Sequence, residues 1–336
     1  MNYPRRAAIE LQYNGKNVSE KINEYLEQFT YTDVASGETD TLAITLNDKA
    51  HKWISNWFPI EGDNLKAEIY VKHWTKQNDN RKLSCGKFLI DDYYFNGPPD
   101  LYFLNAISSP INTSFTLTKK SKPWKSITTK SIAESLAKAA GIKLFYDADS
   151  YSIKKLEQNN ESDMSFLFKL CENYNLAMKL YNEKLIIFDE IKYENKASVG
   201  TIDKSDCTNY EPRGTLVGIY HGVIINYTNP KTNKTLTYKY ILQDGKRILK
   251  LSEKADSYLD AEIKAKASLR KHNKQATTLV LTLKGDVKYL AGTCYDVTGF
   301  GKFNGKYFVD KVTHSLSDGY SVKLQMHKIL NIKINK

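Results

Sequence analysis

Apolar residues at alternate positions recur through the first and the last third of this chain, and this pattern limits the possible folds more than any other feature. A period of two places successive side chains on opposite faces of a β-strand. In the first third, the predicted strands are residues 9–13, 42–46, 66–74, 87–95, 101–107 and 111–117. In the last third, they are residues 223–227, 236–240, 279–283, 307–312 and 322–326. Asn14-Gly15 and Asp318-Gly319 are typical of tight hairpin turns.

Helical spacing dominates the middle of the chain. Apolar residues recur at four-residue steps over 132–140, and Gly141 is a typical helix stop. Residues 166–174 carry apolar side chains on one helical face, and Ser162 is the predicted N-cap. Two short strands are predicted after this helix, at residues 177–181 and 184–188.

Three other segments interrupt the β pattern. Residues 18–29 have helical spacing and predict one short helix. Ser257 and Asp260 resemble a capping box and predict a helix that continues through residue 271. The lysine-rich segment 119–130 contains Pro123 and predicts a linker.

These patterns predict a mainly β protein with an α+β insert. A length of 336 residues is typical of two or three domains. We expect a β-barrel module over residues 1–118, closed or nearly closed, an α+β insert over 119–195, and a second β module with one helix over 196–336.

Composition narrows the class of protein. The net charge is +11, but most of the excess is lysine interleaved with acidic residues, which favours a general surface bias over a nucleic-acid site. The four cysteines are far apart in sequence and form no C-x-x-C pair, so we expect buried thiols rather than a zinc or redox site. No apolar run approaches the 20 residues that a membrane helix needs, and the N-terminus lacks an export-signal pattern.

Acidic pairs are the first candidates for catalysis. Asp91-Asp92 and Asp189-Glu190 are adjacent residues in predicted strands, so their side chains point to opposite faces and we expect solvated strand ends. Glu161 and Asp163 flank the predicted N-cap and complement the positive helix end.

Metal, phosphate and nucleic-acid motifs are equally weak. The six histidines lack metal-ligand spacing, and Gly299, Gly301 and Gly305 do not form a phosphate-binding loop. Trp124 lies among the lysines of 119–130, a combination that single-strand binders use, but one aromatic residue favours an anchor for the following helix. We therefore expect no catalytic residue, no cofactor and no metal ion.

Five stretches, taken in order, resemble the late control protein D family of phage tail proteins, which includes baseplate hubs of contractile-tailed phages and of phage-tail-like bacteriocins. The stretches are residues 31–69, 85–108, 124–144, 161–189 and 299–328. The first retains Tyr31, Asp33, Gly37, Asp40, Leu42, Leu46, Trp57, Phe58, Pro59, Gly62 and Asp63. The second retains Gly86, Phe88, Asp91, Gly97, Pro98 and Pro99. The chain is also similar to the N-terminal half of type VI secretion spikes.

In physical terms, two groups of these residues have an expected role. The glycines and prolines suit turns at strand ends. Trp57 and Phe58 are expected to bury a large area at one end of a barrel.

The resemblance implies a structural hub made of three copies. Each copy would donate two tube-type β-barrel modules, so that a trimer forms a pseudo-six-fold ring between the tail tube and the central spike. The implied partners are two further copies, the tube protein, the spike and other baseplate components, with no specific nucleic acid and no membrane insertion. The implied location is the baseplate of a virion or tail-like particle that is made in the bacterial cytoplasm.

The chain also departs from its relatives. Type VI spikes continue into an OB-fold and a needle, whereas this chain ends at Lys336, so a separate spike protein is expected. No helix-turn-helix pattern supports a role in transcription.

Two other functions remain open at this point. One is a tail-tip cell-wall hydrolase, which a zymogram on cell walls would reveal. The other is a basic nucleic-acid-binding β-barrel, which would show a steep salt dependence of binding.

Exposed strand edges of the two β modules are the expected trimer contacts. A charge at Leu281 or Leu324 would abolish folding if these residues belong to the core, and would block only assembly if they face a neighbour.

Overall fold

The computed structural model describes residues 4–55, 58–60, 62–109, 114–228, 234–242, 246–330 and 332. The strands of the first segment are β1 (Arg6–Tyr13), β2 (Lys16–Asn17), β3 (Leu26–Val34), β4 (Thr41–Asn47), β5 (Asn64–Lys72), β6 (Arg81–Asn96) and β7 (Leu101–Ile107). Those of the middle segment are β8 (Lys119–Thr128), β9 (Lys143–Asp147), β10 (Ser152–Ser162), β11 (Leu176–Tyr181) and β12 (Lys184–Asp189). The rest are β13 (Thr201–Asp203), β14 (Cys207–Gly214), β15 (Gly222–Thr228), β16 (Thr235–Ile241), β17 (Ile248–Leu251), β18 (Thr277–Lys284), β19 (Cys294–Thr298), β20 (Gly305–Leu316) and β21 (Tyr320–Lys328).

Six α-helices accompany these strands in the described residues. They are α1 (Ser19–Asn23), α2 (Ser114–Leu117), α3 (Thr129–Ala140), α4 (Asp163–Asn173), α5 (Glu190–Glu194) and α6 (Tyr258–Asn273). None of them is long and apolar enough to cross a membrane. The expected mainly β fold with a smaller α+β insert is confirmed.

Two sets of six strands form most of the structure. In the first set the strands are ordered β3-β4-β7-β6-β5-β1, with β2 as a short hairpin partner of β1. In the second set, β20 pairs with both β21 and β19. Beyond β21 the order continues with β18 and then β14, and β19 also pairs with β13. Strands β3 and β20 pair antiparallel over residues 29–34 and 311–316, so both sets belong to one continuous sheet.

Each set is nearly closed on itself. In the first, α1 follows the β1-β2 hairpin and occupies the gap between β1 and β3: Ser19 and Asn23 bond the outer backbone groups of Leu11 and Ile9. In the second, β13 and β14 are linked by a single 3₁₀ turn, Lys204–Asp206. The domain boundaries expected at residues 118 and 195 remain a prediction.

One hydrophobic core runs through both sets, because the inward side chains of all their longer strands contact each other. It contains, among others, Ile9, Phe29, Leu42, Ile69, Phe88, Tyr102, Leu281, Val312 and Leu324. The indole Nε1 of Trp74, after β5, donates to the carbonyl oxygen of Gly285 at 2.9 Å, which fastens the two sets at a second place.

The insert has its own core of helices on a small sheet. Strands β11-β12-β9 form one sheet and β8-β10 a separate ribbon. Thr128 accepts from the Ser131 N–H and starts α3, which ends at Gly141 in the left-handed region (φ 71°). Ser162 caps α4 in the same way, as predicted.

A third sheet, β16-β15-β17, lies against α6. Ser257 accepts from the Asp260 N–H at the start of α6, so the predicted cap is confirmed. The predicted hairpins at Asn14-Gly15 and Asp318-Gly319 are also present, joining β1 to β2 and β20 to β21.

Three predictions of secondary structure are wrong. Segment 119–130 is not a linker, because Lys119–Thr128 is a strand. Its lysines are exposed except for half-buried Lys120, a composition that edge strands tolerate. Residues 114–117 form α2 rather than the end of a strand, while 111–113 lie outside the described residues. The helix expected over 18–29 ends at Asn23, because Leu26 and Phe29 alternate on β3.

The two aromatic residues expected at a barrel end have different outcomes. Trp57 lies outside the described residues. Phe58 is 46% exposed, so its expected burial is wrong. Its ring makes an edge contact with Tyr93 at 4.8 Å and stacks on Phe95 at 6.4 Å, and nearly half of the side chain is still exposed.

A substitution at Leu324 tests whether this face of β21 belongs to the hydrophobic core. Leu324 is fully buried opposite Leu281, so Leu324→Ala should lower the free energy of unfolding by about 2 to 5 kcal/mol through lost packing and a residual cavity. Lys323→Ala, on the opposite face of the same strand, is the matched control and should change it by less than about 0.5 kcal/mol. Urea denaturation followed by circular dichroism measures both, and equal effects would contradict this assignment.

Candidate assembly surfaces and the buried charges that hold them

Tyr31, Asp33 and Asp40, which carry part of the resemblance in the sequence, meet in a buried cluster with a lysine from the insert. The Lys179 ammonium of β11 lies 2.6 Å from the Asp33 carboxylate and 3.2 Å from that of Asp40. Asp33 also accepts from the Ala291 N–H at 2.8 Å. Asp40, fully buried, accepts from the Val34 N–H at 3.0 Å. Asp33 therefore connects the first segment, the insert and the last segment.

Two carboxylates share one ammonium in this cluster. Burial raises the pKa of Asp40 to about 7; the positive charge of Lys179 opposes this, while Asp33 adds to it. Burial, with both carboxylates nearby, also raises the pKa of Tyr31. His314 stacks on Tyr31 with ring centroids 5.9 Å apart, and burial lowers the pKa of His314 to about 4. The imidazole is thus neutral and structural at pH 7.

A second buried network fastens α5 and α6 to the sheet. Arg270 of α6 donates to Glu194 at 2.7 Å and to the Asn175 side chain at 3.0 Å. His327 of β21 bonds Glu194 through Nε2 at 3.2 Å and Asp310 through Nδ1 at 2.8 Å. Burial alone would lower the pKa of His327, but the charge of Asp310 and bonds to both carboxylates raise it to about 9.

Glu194 stays ionised inside this network. Burial tends to raise its pKa, but the hydrogen bond from His327 and the charge of Arg270 lower it to about 2. Sequence analysis identified neither network. In most of these contacts the two residues are 95 or more positions apart in sequence, and the residues follow no motif.

The acidic pair Asp189-Glu190, which was considered for catalysis, has structural partners. Asp189 and Glu190 are both buried, so the expectation of solvated strand ends is wrong for them. Asp189 caps α5 by accepting from the Lys192 N–H, and Glu190 pairs with Lys274. Asp91 and Asp92 are exposed at an irregularity of β6, as expected.

The pair beside α4 is also engaged. Glu161 pairs with Lys169 at 2.7 Å, and buried Asp163 pairs with Lys120 at 2.6 Å and accepts from Gln158 at 2.9 Å. Asp163 thus has specific partners in addition to the helix end.

The remaining motifs also have structural roles. Trp124 is buried and stacks on Phe166 of α4, with centroids 6.1 Å apart, so it anchors a helix. Gly299, Gly301 and Gly305 all have positive φ, and Gly299 lies close to the Lys204 backbone, which fits the expected turn. Within the described ranges, no three His, Cys, Asp or Glu side chains form a metal site.

One apolar cavity of about 300 Å³ lies inside the first set of strands. Its lining comes from β1, β4, β5 and β7 and from residues after β4, including Trp53, which stacks on Tyr102 at 5.8 Å. Among the described lining residues, Lys21 is the one charged group. This composition suits packing rather than acid–base chemistry.

The outer face of the central strands has an unusual composition. Pairing aligns small hydroxyl side chains across five strands, from β18 through β21, β20 and β3 to β4. This hydroxyl face consists of Thr30, Thr32, Thr41, Thr282, Thr313, Ser315 and Ser321. Two lysines also lie on it: Lys323, in the row of Thr282, Thr313, Thr32 and Thr41, and Lys284, opposite Ser321. A sheet face with few charges is cheap to desolvate, so it suits contact with another surface.

The two ends of the sheet differ. The outer edge of β1 is covered by α1, as described above. Strand β14 is an edge strand with most of its residues exposed, and it contains Pro212, which cannot donate a backbone hydrogen bond. Charged and proline-containing edges resist uncontrolled pairing, so this edge is protected against aggregation.

Comparison with protein families gives a match over residues 114–327, to the family described as YQBQ-like. This range contains the insert and nearly all of the last segment. No curated protein matches the chain.

Solved structures with the same fold include phage tail proteins. The 43 kDa tail protein of prophage MuSo2 from Shewanella oneidensis has a TM-score of 0.73 at 12% identity, covering 96% of this chain and 98% of that one. A tail protein from Neisseria meningitidis MC58 has a TM-score of 0.72 at 13% identity, covering 96% of each chain.

A secretion protein has the same fold as well. The E. coli c3393 protein, a type VI secretion component described as similar to the T4 tail proteins gp27 and gp5, has a TM-score of 0.60 at 11% identity. The match covers 97% of this chain and 79% of that one. At these identities the likeness is one of fold.

Removal of the Lys179 side chain should weaken the attachment of the insert to the first segment. Lys179→Met leaves two buried carboxylates without their cation and should lower the free energy of unfolding by about 3 to 5 kcal/mol. Lys184→Met, on an exposed site of the neighbouring strand β12, is the matched control. Denaturant titration measures both, and a change below about 1 kcal/mol for Lys179→Met would contradict the role of this cluster.

The raised pKa of His327 predicts a pH dependence. Its contribution to stability is complete below its ordinary pKa of 6.5 and is lost as the pH rises through about 9. Wild-type protein should therefore lose roughly 1 to 3 kcal/mol of unfolding free energy between pH 6.5 and 9.5 relative to His327→Gln. Denaturant titrations across this pH range measure the difference, and parallel curves would show that His327 is not charged in the fold.

Proposed function

The chain belongs to the YQBQ-like family, and we infer that it is a structural hub protein in the baseplate of a contractile phage tail or a phage-tail-like bacteriocin. One observation carries this proposal: nearly the whole chain superimposes on phage tail proteins of similar length. The type VI secretion component with the same fold supports a position on the axis of a contractile apparatus.

The internal arrangement of the chain supports the proposal of a trimeric ring. Each chain contains two similar six-stranded sets joined by β3 and β20. Three chains would therefore present six sets, which matches a six-fold tube on one side and a three-fold spike on the other. The proposed partners are two further copies, the tube protein, a separate spike protein and other baseplate components.

We assign the hydroxyl face to the passage through this ring. It crosses the junction of the two sets, so it is the surface that both sets present together. Small side chains leave an opening wide, and a face with mainly neutral side chains holds a charged cargo less firmly than one with many charges.

The proposed role is non-enzymatic. Asp163, Asp189 and Glu190 cap or stabilise helices and pair with named partners, so these carboxylates already have a structural explanation. Purified protein should leave no cleared band in a zymogram of cell walls, and a band that survives further purification would contradict the non-enzymatic role.

Localisation in the particle tests the proposal directly. Cryo-electron microscopy of the tail particles from the source strain should place three copies of this chain in a pseudo-six-fold ring between tube and spike. Copies away from the tube axis, or particles that lack the chain, would contradict the hub. A hydroxyl face turned away from the channel would contradict only the assignment of the passage.

A further inference from the structure

The sheet β16-β15-β17 has one face packed and one face open. Val223, Ile225, Tyr238 and Leu249 are buried towards α6. The alternate positions lie on the opposite face, where pairing brings Lys239 of β16 and Lys250 of β17 to either side of Ile224 of β15. Both lysines are exposed. We call Ile224, Lys239, Lys250 and their neighbours on this side the basic face.

Positive charge is concentrated around this face. Residues 221–250 contain six Lys or Arg and one Asp, a net of +5 out of the +11 of the chain. Lys239, Lys246, Arg247 and Lys250 are exposed, and none has an ion pair with any residue that the structure describes. This region therefore carries nearly half of the net charge, and its described basic residues have no ion pair with the described part of the chain.

Exposed apolar residues adjoin the basic face. Ile241, at the end of β16, is 39% exposed, and Leu242 is 36% exposed. Leu216 and Val217, in the loop after β14, are 76% and 84% exposed. The Arg247 guanidinium donates to the Leu216 carbonyl oxygen and so holds this loop beside β17. Apolar residues surrounded by charges are typical of protein interfaces.

The far end of the β6-β7 hairpin has the complementary composition. Residues 89–107 contain three Asp and no Lys, Arg, His or Glu. Asp91, Asp92 and Asp100 are exposed, and none has an ion pair in the described parts of the chain. Beside them Tyr94, 49% exposed, stacks on Phe103 with ring centroids 4.5 Å apart. We call this end the acidic hairpin.

We propose that the acidic hairpin of one copy docks on the basic face of the next. The two surfaces carry opposite charges and both expose apolar residues, and the charged groups of each lack an ionic partner among the described residues of the chain. The two surfaces are different, so the contact is head-to-tail, and repetition of such a contact closes a ring when the rotation allows it. This inference rests on the proposed hub function, for which it specifies the contact between copies.

A nucleic acid fits the basic face less well than a protein does. Proteins that bind single strands place aromatic side chains under the bases. On this sheet, Tyr238 is turned towards α6, and Tyr240 has the Lys266 ammonium over its ring at 4.6 Å, on the same side. The described open face presents isoleucines between lysines, which suits a partner with apolar and acidic side chains.

Charge reversal tests the contact. Sedimentation velocity of the purified full chain should show self-association that weakens between about 0.05 M and 0.5 M salt. Lys239→Glu with Lys250→Glu should weaken it at least about tenfold, and so should Asp91→Lys with Asp92→Lys. The four changes combined in one chain should restore association to within about threefold of wild type, because the attraction is re-formed with opposite signs.

Matched controls separate this effect from net charge. Lys143→Glu with Lys184→Glu changes the total charge by the same amount at exposed sites of the insert and should leave association unchanged. Circular dichroism melts should show that all variants remain folded.

Three outcomes would overturn the contact. They are a wild-type chain that stays monomeric at about 100 μM, reversals without effect, and a combined variant that fails to recover. A loss of binding to a 30-base-pair DNA duplex by the lysine variant, with unchanged self-association, would assign the face to nucleic acid instead. If the combined variant fails to regain self-association while the chain is found at the tail tip, this contact is wrong and the hub function stands. If the combined variant regains self-association while the chain is absent from the particle, the contact is supported and the hub function is wrong.

Discussion

The antiparallel pairing of β3 with β20 is the constraint on which the rest of the structure depends. Six residues of each strand pair, although the two strands are about 280 residues apart in sequence. This pairing makes two strand sets into one sheet and places both inner faces on one core. It also brings Asp33 next to the last segment and exposes a continuous outer face across the junction. Without it, each set would have one more open edge and a much smaller core.

Buried charges fix the orientation of the insert on the sheet, which hydrophobic packing alone would leave variable. Apolar contacts are non-directional, so a helical insert could settle on a sheet in several orientations. Lys179 between two carboxylates, and His327 between Asp310 and Glu194, each have one arrangement that satisfies all members. Such clusters are costly to desolvate and add little net stability, but a misplaced insert would leave their charges unpaired. A rigid relation between insert and sheet is what a part of a larger assembly requires.

The sequence allowed prediction of those features that depend on neighbouring residues. Alternation located β4, β7, β18 and β21, and cap residues located the ends of α3, α4 and α6, because strand faces and helix ends are determined within a few residues. Long-range features were beyond reach. No local pattern specifies that β3 pairs with β20 or that Asp33 meets Lys179, since such contacts form only once the fold has brought the segments together.

The errors have the same origin. The lysines of β8 are typical of a linker by composition, yet β10 pairs with that segment and makes it a strand. Glu190 was expected at a solvated strand end, but the ammonium of Lys274, from a distant segment, compensates its burial. The candidate surfaces were likewise hidden, because the hydroxyl face combines residues of five strands, and the basic face becomes visible only when the register of β15, β16 and β17 is known.

The distribution of charge links these surfaces to assembly. A chain with a net charge of +11 would be expected to scatter lysines over every exposed strand. Instead, its central sheet face carries mainly hydroxyl groups, while exposed basic residues gather on one peripheral sheet and three exposed aspartates lie along the β6-β7 hairpin. Further charges on the central face would repel copies that meet there or hold a charged cargo, whereas opposite charges on two separate surfaces attract and orient neighbouring copies. Gathering like charges on one surface costs some repulsion within a single chain, so this separation is useful when several copies come together.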